Sequence, residues 1–181
     1  MTTTQLPQPT LARSALVRPM LWERLERPVG GPDGQAPAEP DWAPLVQREW
    51  LLTNGLGGYA SGTISGAPTR RYHGLLIAAL PAPFGRMLML AGLGETVRTG
   101  DGAEYRLGGE ETPERLTLHG AQWLYGFRLE AGLPVWEYRL GDIHLERSVL
   151  LLHEQNTVVV RYRVTEGLDP VSLDLRPLVN F

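Results

Sequence analysis

The chain contains no cysteine and no lysine. Without cysteine there is no disulfide frame, no thiolate zinc site and no cysteine nucleophile. Without lysine all 17 basic residues are arginines. They are scattered along the chain, and the net charge is −3, so no basic field is present to hold a phosphate backbone and nucleic acid is not an expected partner. Alongside abundant Ala, Gly and Pro, the exclusive use of arginine reads as a coding bias, not as phosphate recognition or heat adaptation. Long apolar runs are missing too. MTTTQLPQPTLARSALVRPM has no stretch of signal-peptide length, and nothing approaches the roughly 20 apolar residues of a membrane span. The expected location is therefore cytoplasmic, with no membrane partner.

What is present is ordinary for a globular protein: 181 residues, 43% hydrophobic and 20% charged, enough for one domain with a real core. The 21 Gly and 15 Pro favour many short elements over long helices. Residues 1–44 are rich in Pro, Thr, Ala and Gly, and VGGPDGQAPAEPDWAP reads as a linker or partly disordered arm. Within that arm, Met20 to Leu25 suit one short docked element. Residues 45–181 are read as the folded domain.

From Val46 onward the dominant period is two. Val158, Val160, Tyr162 and Val164 alternate with Val159, Arg161, Arg163 and Thr165, the pattern of a half-buried strand. Ile143, Leu145, Arg147, Val149 and Leu151 alternate in the preceding stretch, and Glu154, Gln155 and Asn156 supply a reversal, so the pair predicts an antiparallel hairpin. PVWEYRLGD places Trp136, Tyr138 and Leu140 on one face, with Glu137 and Arg139 on the other. VSLDLRPLV alternates in the same way. Asp101-Gly102 marks a further hairpin turn. No window of a dozen residues carries a helical apolar stripe. The fold class is all-β, an antiparallel β-sandwich with few or no helices.

Several stretches are apolar on both phases: Leu75 to Leu80, Arg86 to Leu93 and Val149 to Leu152. A sandwich needs one packed face per sheet. The expectation is an apolar patch beside the Gly55 to His73 segment that drives self-association of the chain, unless the 1–44 arm folds back over it.

The stretch from Glu49 to Leu76, EWLLTNGLGGYASGTISGAPTRRYHGLL, stands out. Gly55, Gly57 and Ala60 match a G-x-G-x-x-A dinucleotide fingerprint, but that motif must open a helix, and ASGTISGAP is a poor helix former. HEQNT at His153 lacks the second histidine of a zinc-protease motif, because Thr157 stands in its place. His119 and His144 read as ordinary surface residues, and no metal or cofactor is expected. Glycoside hydrolysis needs two facing carboxylates. Glu49, Glu95, Glu110, Glu111 and Glu137 are candidates that the sequence does not pair, and Glu137 and Glu146 fall on polar strand phases.

REWLLTNGLGGYASGT followed by TRRYHGLLIAAL resembles the signature of the N-terminal domain of bacterial and archaeal type glycogen debranching enzymes. Weaker similarity runs through RMLMLAGLGETV, WEYRLGDIHLERSVLLLHEQNTVVVRYRV and LRPLVNF, covering roughly Val46 to Phe181. The resemblance implies a supersandwich-like N-terminal domain packed against a C-terminal (α/α)6 barrel. That barrel would carry the amylo-α-1,6-glucosidase acid and base, and in some members 4-α-glucanotransferase activity, in glycogen catabolism. Both catalytic groups would then lie beyond Phe181, and none of the residues here would be catalytic.

What this domain would contribute is a surface for the barrel or for an α-glucan, formed by Asn54, Gly55, Gly57, Gly58, Tyr59, Arg70, Arg71, Tyr72 and His73. Gly55, Gly57, Gly58, Gly62 and Gly66 are expected to supply positive-φ turns, with the planar donors of 70–73 beside them. The bland alternative is a glycine-rich corner in which Arg70 or Arg71 pairs with Glu49 and Tyr72 sits in the core. A rival function is an autonomous glucan-binding module, which would display exposed aromatics as a planar platform.

Overall fold

The structure is a computed structural model that describes residues 22–23, 42–167 and 170–179. Most of the arm at 1–44 lies outside the described residues. Within it, β1 (Trp22–Glu23) sits where a short docked element was expected. A five-residue helix, α1 (Ala43–Gln47), opens the continuous part, with Pro44 in its first turn where a missing N–H is harmless.

The strands then follow as β2 (Glu49–Thr53), β3 (Tyr59–Thr63), β4 (Gly74–Ala79), β5 (Arg86–Thr99), β6 (Glu104–Arg106), β7 (Glu110–Glu111), β8 (Leu116–Thr117), β9 (Leu124–Glu130), β10 (Leu133–Leu140), β11 (Ile143–Leu151), β12 (Val158–Glu166) and β13 (Val171–Val179). One sheet has the order β1-β9-β10-β11-β12, and the other β13-β5-β4-β3-β2 with β6 beside β5. Every pairing is antiparallel. This is the antiparallel all-β sandwich that the alternation predicts.

Turn chemistry explains the connectivity. Ala131 and Gly132 both adopt positive φ (50° and 85°) between β9 and β10, the conformation that a two-residue hairpin turn demands. Asp101-Gly102 joins β5 to β6, with Asp101 accepting the Ala103 N–H at 3.1 Å.

The core lies between the sheets. Trp136 of β10 is almost fully buried and meets the rings of Trp50 and Phe127 edge-on at 5.4 and 5.2 Å, so one side chain bridges the layers. Its indole N–H donates to the Ile64 carbonyl at 2.8 Å. Arg147 occupies a core phase of β11 among apolar neighbours and finds Glu95 of β5 across the gap at 2.7 Å. The Tyr162 hydroxyl donates to the same carboxylate. Burial disfavours the Arg147 charge, but the neighbouring Glu95 outweighs it and holds the guanidinium above its usual pKa.

Candidate functional site

The Gly55 to His73 segment is not one loop. β2 runs to a tight turn at 54–58, β3 returns, and a second loop at 64–73 leads into β4. Asn54 to Tyr59 therefore lie at one end of β3 and Arg70 to His73 at the other. The sequence suggested that they stand side by side. They do not, because Tyr59–Thr63, YASGT, is a strand of small residues whose glycine accommodates a tryptophan. A Cβ on Gly62 would come within 3.4 Å of the Trp50 ring.

At the first end Asn54 is fully buried and satisfies its whole amide. Its Oδ1 accepts the N–H groups of Leu56 and Gly58, each at 3.0 Å. Its Nδ2 donates to the Gln155 carbonyl at 2.8 Å and to Asn156 Oδ1 at 3.3 Å. Asn156 in turn exchanges two bonds with the Ala79 backbone, at 3.0 and 2.7 Å. Two amides thus tie together the 54–58 turn, the end of β4 and the β11–β12 turn.

Glycine is needed here for two reasons. Gly55 and Gly57 have positive φ (83° and 93°). Gly58 does not, but a Cβ there would sit 2.7 Å from Asn54 Nδ2 and 3.0 Å from the Ile77 carbonyl. Of the five glycines expected in positive-φ turns, only Gly55, Gly57 and Gly66 adopt them; Gly58 and Gly62 serve close approach instead. Above this base the Arg86 guanidinium donates to the Gly57 carbonyl at 2.8 Å and lies 5.8 Å from the Tyr59 ring. Leu56, in the same turn, and Phe84, in the β4–β5 connection, are 49% and 66% exposed.

At the second end Arg70 forms an ion pair with Glu49, the pairing anticipated for a structural corner, and this raises the pKa of its guanidinium. His73 is buried. Its Nδ1 accepts the Thr69 N–H at 3.2 Å, so the neutral ring carries its proton on Nε2. That Nε2 has no hydrogen-bond partner and lies 3.5 Å from Glu49 Oε1. Burial, assisted by the Arg70 charge, lowers the His73 pKa against the pull of Glu49. Tyr72 is half exposed, not in the core, and its ring meets His73 edge-on at 5.5 Å. Its carbonyl accepts the Ser61 hydroxyl at 3.0 Å, and its side chain interacts with the Arg70 guanidinium. Arg71 is exposed.

The model of the family described as glycogen debranching enzyme N terminal matches residues 48–181, which take in both ends of this site. The chain belongs to that family. No curated protein and no solved structure matches it.

The other candidate chemistries resolve against this frame. Gly55 to Ala60 leads into β3 and not into a helix, which removes the dinucleotide reading. His153 to Asn156 form a tight turn, and among the described residues no group of three metal-ligating side chains comes together. Of the carboxylates, Glu95 is buried against Arg147, and Glu137 and Glu146 share Arg128 on the outer face of β9–β11. Glu49 holds Arg70. Glu110, in the small β7–β8 hairpin, faces His119 at 3.2 Å, which lowers its pKa. His144 faces Glu166 at 3.3 Å. Among the described residues, no helix is long and apolar enough to cross a membrane.

The residues that sequence reasoning missed are Asn156 and Arg86. In the sequence Asn156 stands only as part of a reversal, and its partner Asn54 is 102 positions away.

Proposed function

We propose that this domain is the non-catalytic N-terminal part of an α-glucan debranching enzyme, where it packs on a glycosidase barrel and forms one wall of the glucan cleft. The family match over residues 48–181 carries the reading. The carboxylates support it, because Glu49, Glu95 and Glu137 each engage an arginine of the domain itself. None is left facing a second carboxylate across an open gap, the arrangement that glycoside hydrolysis requires.

The surface we assign to the barrel is the end built on Asn54. It presents Leu56 and Phe84 to solvent over a base fixed by the Asn54 and Asn156 amides, with Tyr59 and Arg86 alongside as planar groups for sugar rings and hydroxyls. Arg70 and His73 are committed to holding their own loop. The rival reading, a free-standing glucan-binding module, calls for a planar platform of exposed rings. Tyr72 and Phe84, the exposed aromatics among the described residues, lie at opposite ends of β4.

The test has two arms. The purified chain is expected to release no glucose from an α-1,6-branched glucan, and to form a complex with a debranching-enzyme barrel that Phe84→Asp weakens. Hydrolysis abolished by changing a single Glu or Asp of this chain overturns the proposal.

A further inference from the structure

Both sheets end in a long strand with one edge unpaired among the described residues: β12 beside β11, and β13 beside β5. Such edges recruit a further strand unless lysine, inward charge, bulges or proline blunt them. The chain has no lysine, and on β13 the blunting is confined to the C-terminal part, where Pro177 and a register shift at Leu178/Val179 lie. On β13, Leu175 is 47% exposed and Val179 half exposed, although both lie on the phase of Leu173, which packs against the core.

The two edges differ when each is set against its own copy. Opposing residues in an antiparallel pair share a face. A two-fold pairing must therefore centre on one residue. On β12 the centre at Tyr162 sets Arg161 against Arg163 twice, and the centres at 161 and 163 set an arginine against itself. Like charges repel in each of these registers. On β13 the centre at Leu175 sets Asp174, which also pairs with Arg98 of its own chain, against Arg176 of the other copy, twice. It also joins Leu175 to Leu175, Leu173 to Pro177 and Val171 to Val179 on the inner face. Shifting the centre to 174 or 176 places like charges together. Only one of these β13 registers is complementary in both charge and apolarity.

We infer that β13 is a homodimerisation edge, on which a second copy of this chain adds its own β13 antiparallel with the two-fold axis at Leu175. This locates the association surface away from the Asn54 end, and it does not depend on the glucan reading. Pro177 removes a donor from each copy and leaves the dimer weak and concentration-dependent.

A charge swap tests the inference. Sedimentation velocity on the 181-residue chain should show a monomer–dimer equilibrium. Asp174→Lys alone sets the introduced ammonium against Arg176 of the other copy, and Arg176→Glu alone sets the introduced carboxylate against Asp174. Each variant should dimerise at least about tenfold more weakly than the parent chain. Mixed in equal amounts, the two should form a heterodimer, because both cross-strand pairs are again opposite in sign. The mixture also controls for folding, since misfolded variants do not recover affinity for each other. A parent chain that stays monomeric across the accessible concentrations overturns the inference. So do single variants that dimerise as the parent does, or a mixture that fails to associate.

Discussion

At one end of the six-stranded sheet, Asn54 and Asn156 close three turns with neutral hydrogen bonds; at the other, Glu49, Arg70 and His73 hold a single loop with charge. Both ends belong to the same glycine-rich stretch of sequence, yet they respond to different conditions. A buried amide whose donors and acceptors are all matched has no net charge to screen and no proton to gain. A half-exposed ion pair beside a buried imidazole depends on both salt and pH. The first end suits a docking surface that must keep its shape. The second is a latch that solution conditions loosen.

The comparison is broken most strongly at Asn54. Asn54→Ala removes four side-chain hydrogen bonds and leaves the Leu56 and Gly58 N–H groups without that acceptor. At about 1 kcal/mol net per bond the loss is about 3–4 kcal/mol. Denaturant unfolding should return this loss at low and at high salt alike. Asn54→Asp sharpens the point: it keeps both N–H acceptances but turns an oxygen toward the Gln155 carbonyl, so it should also destabilise. If the aspartate variant is as stable as the parent, the donor side of the amide contributes nothing and the knot is misread.

Gly58→Ala comes next. Its backbone is not in the left-handed region, so the expected loss is steric, from a Cβ placed 2.7 Å from Asn54 Nδ2 and 3.0 Å from the Ile77 carbonyl. Overpacking of this kind costs about 1–3 kcal/mol. Combined with Asn54→Ala, which empties that space, Gly58→Ala should cost less than it does alone. Strict additivity in the double variant would show that the contact is not the cause.

How much of this was legible beforehand follows from the range of each interaction. Alternation identified the core faces of β10, β11 and β12, including Trp136, Tyr138 and Leu140, because period two is a local signal. Hairpins were readable at Asp101-Gly102 and at 154–156 for the same reason. Arg147 appeared within an apolar row, but its partner Glu95 is 52 positions away on the other sheet, and no local pattern points there. The strand at 59–63 stayed hidden because its residues are small and it pairs through backbone. The motif therefore looked like one loop, and its two ends were assigned to one site. The family resemblance was carried by that same stretch, independently of how it folds.

His73 gives the third test, through pH. Its pKa is lowered in the folded state by burial, so the folded chain binds fewer protons than the unfolded one. The stability it contributes is complete above its unfolded pKa of about 6.5. That stability is lost as the pH falls toward the depressed folded value. Glu49 at 3.5 Å opposes this shift and Arg70 reinforces it. Unfolding midpoints of the parent should drop between neutral and mildly acidic pH by more than those of His73→Asn, whose Oδ1 takes the place of Nδ1 and can still accept the Thr69 N–H. Equal slopes in the two proteins would refute the role given to the buried ring.

Arg70→Ala should have the smallest effect, and it is the one that separates latch from knot. The Arg70 side chain is more than half exposed and its ion pair reaches only Glu49. The turn itself is held by backbone, with the Arg70 carbonyl accepting the His73 N–H at 2.9 Å whatever side chain stands there. Removing the guanidinium therefore removes screened charge and little packing. A slight lowering of the thermal midpoint is expected at low ionic strength. It should vanish near 1 M salt, where the screening length falls to about 3 Å. Asn54→Ala measured in the same buffers should keep its full deficit. If Arg70→Ala instead shows a salt-independent loss comparable to that of Asn54→Ala, then Arg70 holds the 64–73 loop by more than screened charge, and the contrast between the two ends fails.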